Sequence, residues 1–438
     1  MRWSEDQEYD PEKSKSGLIS TDYPEIPSHC IISSGSSRQI SAIIYKDRMV
    51  TLEHVTDRSD AASNDAAGLH THGYMHAYVP KRITFVGMAG LTEFTRNASG
   101  IISSRGVYHV TDIILGQHYA CEPEIGSVKI MYPVNWGRAV GEKGRLVHDT
   151  VKVLDGRLTI EIMEESEHIS KKDGDHRSRE RFVIYRIISD PPMGLYQLME
   201  YVTQFNCLIT LLVGHPMYPR KIWMWDSDGG EFLYYPNTLF AYYDKFQADL
   251  FGRTDYELIE PHFARLLQEW FRICACLGSP VPEYFESALF TASPRARFVD
   301  HTNTLQRLYK KICKAGMSLQ RQLDDAAGVY AGIHEMDDAT IRRIKKTRNH
   351  YVHNSPDGLN RDVVTSRHGL SMLSSATSML IEGKILSMAA GFDRGLLEML
   401  LGNVSKRYSG YRTELPGLPR RPGDTPSGGA AGSAAGQG

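Results

Sequence analysis

The stretch Ala339-Thr-Ile-Arg-Arg-Ile-Lys-Lys-Thr-Arg-Asn-His-Tyr-Val-His353 decides how the C-terminal half of this 438-residue chain is interpreted. Apolar residues recur in it at helical spacing, beginning with Ile341 and Ile344, and this predicts a helix over 339–353. Two acidic residues before it are candidate N-caps, and a turn-forming sequence after it ends the helix. These start and stop signals are Asp337-Asp338 and Asn354-Ser355-Pro356-Asp357-Gly358.

The helix is strongly basic over two of its turns. Five of the seven residues from 342 to 348 are cations: Arg342, Arg343, Lys345, Lys346 and Arg348. The whole chain has 50 basic and 52 acidic residues, which gives a net charge of −2. A footprint for nucleic acid must therefore be local, and this helix is where we expect it.

An arginine and a histidine five positions apart stand at the end of this basic run. Arg348 offers a planar, permanently charged fork that matches phosphate oxygens. His353 can accept and donate a proton near neutral pH. Together they supply charge stabilisation and proton transfer for metal-free cleavage of RNA, whose 2′-OH is the nucleophile. With 32 arginines and 17 histidines, about one such pair is expected by chance, so the polar Asn349 and the basic helix add weight that spacing alone lacks. The competing interpretation is a solvated end of a basic helix.

The stretch from Arg348 to His353 resembles the Arg-polar-x3-His motif of HEPN domains, a small all-helical family with many metal-independent RNases. Together with the β-rich N-terminal half, the chain resembles the ApeA group of bacterial anti-phage HEPN proteins. The resemblance implies an endoribonuclease that acts as a toxin or abortive-infection effector. It also implies a phage-derived trigger and a target that is tRNA or another structured RNA.

The resemblance also implies roles for individual residues. Arg348 would bind the scissile phosphate, His353 would be the general base or acid, and Asn349 would orient His353 or a phosphate oxygen. No metal or cofactor would be required. The residues expected to contact RNA are Arg342, Arg343, Lys345, Lys346 and His350.

The N-terminal half is rich in short, alternating or β-branched runs separated by turn signals, which favours a sandwich or barrel-like β domain. Asp155-Gly156 predicts a tight hairpin, and Asp190-Pro191-Pro192 is expected to open a helix that ends near 213. A last β pair is expected at 221–225 and 231–235. A cluster of aromatic residues in this region could stack nucleobases, although core and cross-strand packing is the more frequent role of aromatics in alternating strands. It consists of Trp223, Trp225, Phe232, Tyr234, Tyr235, Phe240, Tyr242 and Tyr243.

Beyond residue 256 every predicted element is a helix. The fold class is therefore α+β and multidomain: a β-rich N-terminal domain of sandwich or barrel-like type, then an all-α helical bundle of HEPN type. The proposed division is a lead-in at 1–35, a sensing or regulatory β domain at 36–255, the HEPN ribonuclease domain at 256–410 and a disordered Pro/Gly/Ala/Ser-rich tail at 411–438.

Other features of the sequence argue against several alternatives. The acidic N-terminus has no apolar signal region, the most apolar long stretch carries four polar residues, and six cysteines show no paired CxxC spacing. We therefore expect a cytoplasmic protein with reduced thiols and no membrane association. No Walker A loop, GxSxG elbow or HExxH helix is present.

Two further functional hypotheses remain open. The first is a non-catalytic nucleic-acid- or nucleotide-binding module whose β domain recruits a partner. The second is a metalloenzyme built on His70, His72 and His76, although a flexible polar loop explains this spacing better than a zinc site does.

Helical geometry bears on how the site is assembled. Five steps turn a helix by about 500°, so Arg348 and His353 would point about 140° apart on a straight helix. Either the helix breaks before His353, or a second chain completes the site. The HEPN resemblance favours the second, and it implies at least a homodimer formed through the helical domain.

Overall fold

The structure of the protein is a computed structural model. The backbone is described over 29–34, 37–46, 49–58, 73–79, 83–96, 102–132 without 118 and 120, 149–170, 177–236 without 215, 216, 218 and 220, 254–313 without 291 and 292, 316–353 and 362–408. Side chains are described from residue 111 onward, except at 149, 164–182 and 288–290.

Within the described ranges, twelve antiparallel strands form one connected sheet in the N-terminal part of the chain. Short alternating sequences pair with their neighbours through tight connections, as β-branched residues and turn signals favour. The strands are β1 (His29–Ser34), β2 (Ser37–Lys46), β3 (Met49–Arg58), β4 (Gly73–Val79), β5 (Ile83–Arg96), β6 (Ile102–Leu115), β7 (Glu124–Met131), β8 (Asp149–Val153), β9 (Leu158–Ser170), β10 (Arg177–Gly194), β11 (Lys221–Asp226) and β12 (Glu231–Pro236).

The first six strands close into a ring. Their order is β3-β2-β1-β4-β5-β6, and β3 pairs back onto β6 with Thr51 opposite His109. The C-terminal end of β6 leaves the ring and pairs with β12, where Ile114 lies opposite Tyr234. From there the sheet continues as β12-β11-β7-β10-β9-β8. The predicted lead-in at 1–35 thus includes strand β1.

The second half of the sheet buries one face against helix α1 (Leu195–Val213). Alternate residues of β11, such as Ile222 and Met224, are buried on this inner face, since successive side chains of a strand point to opposite faces. Helix α1 begins later than the sequence predicted. Asp190, Pro191 and Pro192 belong to β10, which continues to Gly194.

Two predicted turns are present. Leu154–Gly156 form a single 3-10 turn between β8 and β9, and Asp155 adopts a left-handed backbone with φ of 57°. Between β11 and β12, Asp226 Oδ1 accepts hydrogen bonds from the backbone nitrogens of Asp228 at 3.1 Å and Gly230 at 2.6 Å. Asp and Gly satisfy the special backbone needs of such turns, which explains why both were readable from sequence.

The remaining described elements are helices, and they occupy the C-terminal part of the chain. They are α2 (Tyr256–Leu277), α3 (Pro280–Phe290), α4 (Pro294–Ile312), α5 (Leu319–Gly328), α6 (Asp338–His353), α7 (Arg367–Ala389) and α8 (Arg394–Tyr408). The α+β class is confirmed, with a β-sheet in the N-terminal part and mostly helices after it. None of the described helices combines the length and the apolar character that a membrane crossing requires.

The chain divides into two compact units, 1–282 and 283–438, and the division falls inside α3. Helix α2 belongs to the first unit, although its sequence suggested the start of the helical domain at 256. Its buried Trp270 donates from Nε1 to the carbonyl oxygen of Gln204 at 2.8 Å, and Gln268 donates to the carbonyl oxygen of Lys152 at 3.2 Å. The apolar stripe of α2 predicted that this segment is helical. It did not predict which surface of the protein the helix packs against.

In the second unit, α4 and α7 pack against each other, and the loop after α5 contributes Tyr330 to the interior. Tyr330 donates to the carbonyl oxygen of Met379 at 2.7 Å. A Cβ on Gly383 would lie 2.3 Å from the Tyr330 ring, so only glycine allows this close approach.

A set of polar side chains is buried inside the second unit, and we call it the core polar cluster. Tyr284 and Tyr408 both donate to Glu382 Oε1, at 2.7 and 2.6 Å, and Arg407 forms an ion pair with Glu382 at 3.4 Å. His301 lies beside Tyr284, with ring centroids 5.3 Å apart. The cluster therefore consists of Tyr284, His301, Glu382, Arg407 and Tyr408.

Several predictions concern residues outside the described part of the chain. They are the disordered tail at 411–438, most of the lead-in, and the metal hypothesis at His70 and His72; His76 is described only as backbone in β4.

Candidate functional site

Helix α6 begins one residue before its predicted start. Asp337 caps it: its Oδ1 accepts from the Thr340 backbone nitrogen at 2.7 Å, and its Oδ2 accepts from the Thr340 hydroxyl at 3.0 Å. The backbone nitrogen of Ile341 also donates to the Asp337 carbonyl at 3.3 Å. An aspartate at this position satisfies amide groups that have no partner within the helix. Of the two candidate caps, Asp337 is the capping residue and Asp338 is the first residue of the helix.

One stripe of α6 is buried and the rest carries charge. Thr340, Ile341, Ile344 and Thr347 are buried, at positions that share one side of a helix. Thr347 Oγ1 accepts from the backbone nitrogen of Val364 at 3.0 Å, which ties the chain after the helix back onto it. These contacts fix the rotation of α6 and turn its cationic residues away from the core.

The predicted RNA-contacting residues surround this stripe with unequal exposure. Arg342 is exposed and forms a 3.7 Å ion pair with Asp362. Arg343, Lys345, Lys346 and His350 are half-buried.

The structure brings Arg348 and His353 into direct contact. Arg348 Nη1 lies 2.7 Å from His353 Nε2 and donates to Asn349 Oδ1 at 3.3 Å. Arg348 Nη2 donates to Gln306 Oε1 at 2.8 Å, and Gln306 lies on α4. We call Gln306, Arg348, Asn349 and His353 the Arg348 cluster. All three predicted catalytic residues belong to it.

This contact corrects the argument from helical rotation. Helix α6 stays regular through His353, and no second chain is needed to bring the two side chains together. The argument compared the directions in which the two side chains leave the helix. It neglected the length of the arginine side chain, which carries the guanidinium around the last turn to an imidazole at the helix end.

The protonation of the contact follows from the chemistry of the donor. A guanidinium has only N–H donors, so His353 Nε2 must be the acceptor and carries no proton in this arrangement. The imidazole proton is then on Nδ1. His353 is exposed, so a substrate can reach its ring.

The charge of Arg348 has no acidic partner among the described residues. Its hydrogen-bond partners are the side-chain amide oxygens of Asn349 and Gln306 and the neutral Nε2 of His353. The Nε atom of Arg348 is buried and has no hydrogen-bond partner in the described part of the chain. Partial burial lowers the pKa of the Arg348 guanidinium from its usual value, since desolvation disfavours the charged form. An anion at this position would gain a strong electrostatic partner.

An aromatic side chain lies next to the cluster on the same helix. The guanidinium carbon of Arg295, on α4, lies 4.5 Å from the centre of the Tyr351 ring, in a cation–π contact. His350 contacts the same ring edge to face, with centroids 5.0 Å apart. The end of α6 thus offers cationic and aromatic groups together.

Sequence reasoning missed Gln306 and Arg295. Both lie on α4, more than 40 residues before their partners on α6. Neither belongs to a motif, and helical periodicity does not indicate which residues of one helix meet another. Only the packing of α4 on α6 identifies them.

The chemistry available here is therefore that of an arginine, a histidine and two amides. Within the described ranges, no group of three or more His, Cys, Asp or Glu residues could hold a metal ion. No protein-family model, curated protein or solved structure matches this chain.

Proposed function

We propose that this chain is a metal-independent endoribonuclease of the HEPN type. The observation that carries the proposal is the Arg348 cluster: a guanidinium with no carboxylate partner in the described chain, held 2.7 Å from the exposed imidazole of His353. One group can stabilise added negative charge and the other can transfer a proton. RNA supplies the nucleophile itself.

In the proposed reaction, a ribose 2′-oxygen forms a bond to the adjacent phosphorus while the bond from phosphorus to the 5′-oxygen breaks. His353 takes the proton of the 2′-OH, and the imidazolium then returns a proton to the leaving 5′-oxygen. The products are a 2′,3′-cyclic phosphate and a 5′-OH end. Arg348 stabilises the charge that accumulates on the phosphate oxygens, and Asn349 helps to hold its guanidinium.

The contact between Arg348 and His353 would have to break before His353 acts as a base. While Nη1 donates to Nε2, that nitrogen is not available as a base. A phosphate oxygen is a charged acceptor and forms a stronger hydrogen bond with a guanidinium than a neutral nitrogen does. Binding of the phosphodiester would therefore draw Nη1 away and free the imidazole for proton transfer.

The resemblance to the ApeA group extends the proposal to a biological role. The chain would act as an abortive-infection effector whose target is tRNA or another structured RNA. The β-rich unit would sense a phage-derived trigger or restrain the nuclease. We propose an active form that is at least a dimer through the helical domain, although each chain would carry its own Arg348–His353 pair.

The test is to incubate the purified protein with total RNA, with and without EDTA, and to map the new ends. We expect cleavage in EDTA and 2′,3′-cyclic phosphate ends. Loss of cleavage in EDTA that Mg²⁺ restores would move the chemistry to another site, because two-metal cleavage needs carboxylate ligands that this cluster lacks.

A mixing experiment tests the assignment of the site to one chain. Arg348→Ala and His353→Ala chains are co-expressed, and mixed dimers are isolated with two different tags. Every chain then lacks one member of its own pair, so we expect no recovery of cleavage. Recovery would mean that the two residues act across a dimer interface.

A non-catalytic nucleic-acid-binding module is the second candidate. The observation in its favour is that His353 Nε2 is already engaged by Arg348. Such a module would bind RNA without cutting it, and binding would depend on the cations of α6 more than on His353. RNA that is bound and recovered intact would support this candidate over the nuclease.

A further inference from the structure

One face of the sheet in the first unit combines indole rings with cations. Trp223 on β11 lies opposite Lys129 on β7, and Lys129 lies opposite Arg186 on β10. Residues directly opposite each other in an antiparallel sheet share a face. Trp225 and Lys221 belong to the same face because they are two positions away from Trp223 along β11. We call this the outer face.

The cations lie directly over the indole rings. Lys129 Nζ is 4.5 Å from the Trp223 ring centre and 5.7 Å from that of Trp225. Lys221 Nζ is 5.0 Å from the Trp223 ring, and Arg186 Cζ is 5.7 Å from the Trp225 ring. The two indoles are about 6.8 Å apart along the strand, as two residues of an extended chain must be.

The outer face differs from the inner face of the same strands. Ile222 and Met224 are fully buried on the inner face, whereas Trp223 and Trp225 on the other side are only partly buried. Trp223 packs against the buried Met131 and Ile184, and part of each indole remains accessible to solvent. The prediction that these aromatic side chains pack against the core is confirmed for Trp223.

Among the described side chains of the outer face, cations outnumber acids. Arg186 shares its charge with Glu161 at 3.8 Å, and Glu231 lies opposite Trp225. The exposed Lys152 joins the same face through the register of β8 and β9. The charged residues with described side chains on this face are four cations and two acids, whose formal charges sum to +2: Lys129, Lys152, Arg186, Lys221, Glu161 and Glu231.

We propose that the outer face binds single-stranded nucleic acid. Unpaired bases would stack on Trp223 and Trp225, and the lysines that now cover the rings would move to the phosphates. Stacking on aromatic side chains combined with a cationic surface is how proteins hold single strands without reading their sequence. A duplex fits poorly, because its bases are stacked on one another and unavailable to the indoles. This inference goes beyond the proposed function because it requires no cleavage.

The test uses a fluorescein-labelled oligo(dT) of about 12 nucleotides, which lacks the 2′-OH and cannot enter the proposed reaction. Binding is followed by anisotropy, with a DNA duplex of equal length for comparison. We expect the wild-type protein to bind the single strand more tightly than the duplex. Trp223→Ala and Trp225→Ala should each weaken binding between about fivefold and about 150-fold, which corresponds to the loss of one stacked base. Phenylalanine at the same positions should retain most of the affinity.

Charge variants provide an independent measurement. Lys129→Gln and Lys221→Gln should each reduce the slope of log K against log salt by about 0.7, as expected for one phosphate contact with a single strand. The matched control is Arg272→Gln on α2, which removes an exposed cation that is ion-paired with Glu269 at 2.6 Å. This control should leave both affinity and slope unchanged.

Three results would overturn the proposal. One is equal binding of duplex and single strand. Another is unchanged oligo(dT) binding in the tryptophan variants, with thermal unfolding like that of the wild type. The third is loss of all oligo(dT) binding in a Lys345→Gln/Lys346→Gln variant, which would assign binding to α6 instead. If the alanine variants do not fold, the phenylalanine and lysine variants still test whether the outer face binds oligo(dT). None of these results depends on whether the protein cleaves RNA.

Discussion

The core polar cluster and the Arg348 cluster lie in the same helical unit but handle charge in opposite ways. In the first, the Glu382 carboxylate faces Arg407, and the two side chains are 5% and 9% exposed. In the second, Arg348 has only neutral partners among the described residues, and the histidine beside it is exposed. Buried charge is tolerated where it is paired. A charge left without its opposite at the surface is available for a ligand.

His301 of the core polar cluster and His353 of the Arg348 cluster show the same contrast. His301 is buried, and its Nδ1 lies 3.1 Å from the hydroxyls of both Ser374 and Ser378. Burial lowers the pKa of His301 to about 4. Its Nε2 has no partner among the described residues, so a proton added there would lack an acceptor. His353 in contrast contacts a cation and faces solvent. The comparison teaches that charge compensation, more than residue type, separates a polar cluster enclosed in the core from one that leaves a cation and an imidazole open to a ligand.

The largest effect is expected from removing the Arg348–His353 pair. Arg348→Ala and His353→Ala should each reduce RNA cleavage by about 10²-fold or more, because the reaction loses charge stabilisation or its proton carrier. Since His353 is exposed, His353→Ala should change stability by no more than about 0.5 kcal/mol. Initial cleavage rates and denaturant melts measure both quantities. A folded variant that cuts RNA at the wild-type rate would contradict the proposed catalytic role of the Arg348 cluster.

Removing the carboxylate of the core polar cluster should affect folding instead. Glu382→Ala leaves Arg407 buried without its opposite charge and two tyrosine hydroxyls without their acceptor, so we expect a loss of about 3–5 kcal/mol in the free energy of unfolding. The control is Glu398→Ala, which breaks an exposed ion pair with Arg394 and should change nothing measurable. Urea denaturation compares the two variants, and equal effects would contradict the structural role of Glu382.

Acidification should destabilise the protein through His301. The folded-state pKa of about 4 lies below the unfolded value near 6.5, so between these pH values the unfolded chain binds more protons. Stability from this group is complete above about pH 6.5 and falls by about 3 kcal/mol as the pH drops to about 4. Denaturation curves across this range measure the loss. In His301→Leu this part of the pH dependence should disappear, and if it persists another group is responsible.

A smaller effect is expected from giving the Arg348 cluster the acid that it lacks. Gln306→Glu places a carboxylate where Arg348 Nη2 now meets an amide oxygen at 2.8 Å, so the new acid would compete with phosphate for the guanidinium. We expect KM for RNA to rise roughly tenfold with a smaller change in kcat. Gln197→Glu, at an exposed position of α1, adds the same charge elsewhere and serves as the control. An unchanged KM would show that Gln306 does not face the bound phosphate.

The sequence alone located the elements whose signals are local. Helix α6 was predicted at 339–353 and is found at 338–353 because its apolar spacing and its acidic cap lie within a few residues of one another. The pair β11 and β12 matches its predicted bounds within one residue, since the Asp–Gly turn between the strands sets where they end. The Arg–polar–His motif lies within this predicted helix, so the sequence also placed the three predicted catalytic residues on a single helix.

The tertiary structure decided what depends on distant parts of the chain. It placed α2 on the sheet, brought Gln306 of α4 to Arg348, and left two tryptophans of β11 accessible on the outer face. It also carried the Arg348 side chain to His353, which helical angles alone had excluded. Periodicity and capping act over one or two turns, so they can be read from sequence. Packing partners and the reach of a long side chain follow from contacts between segments that the sequence order does not relate.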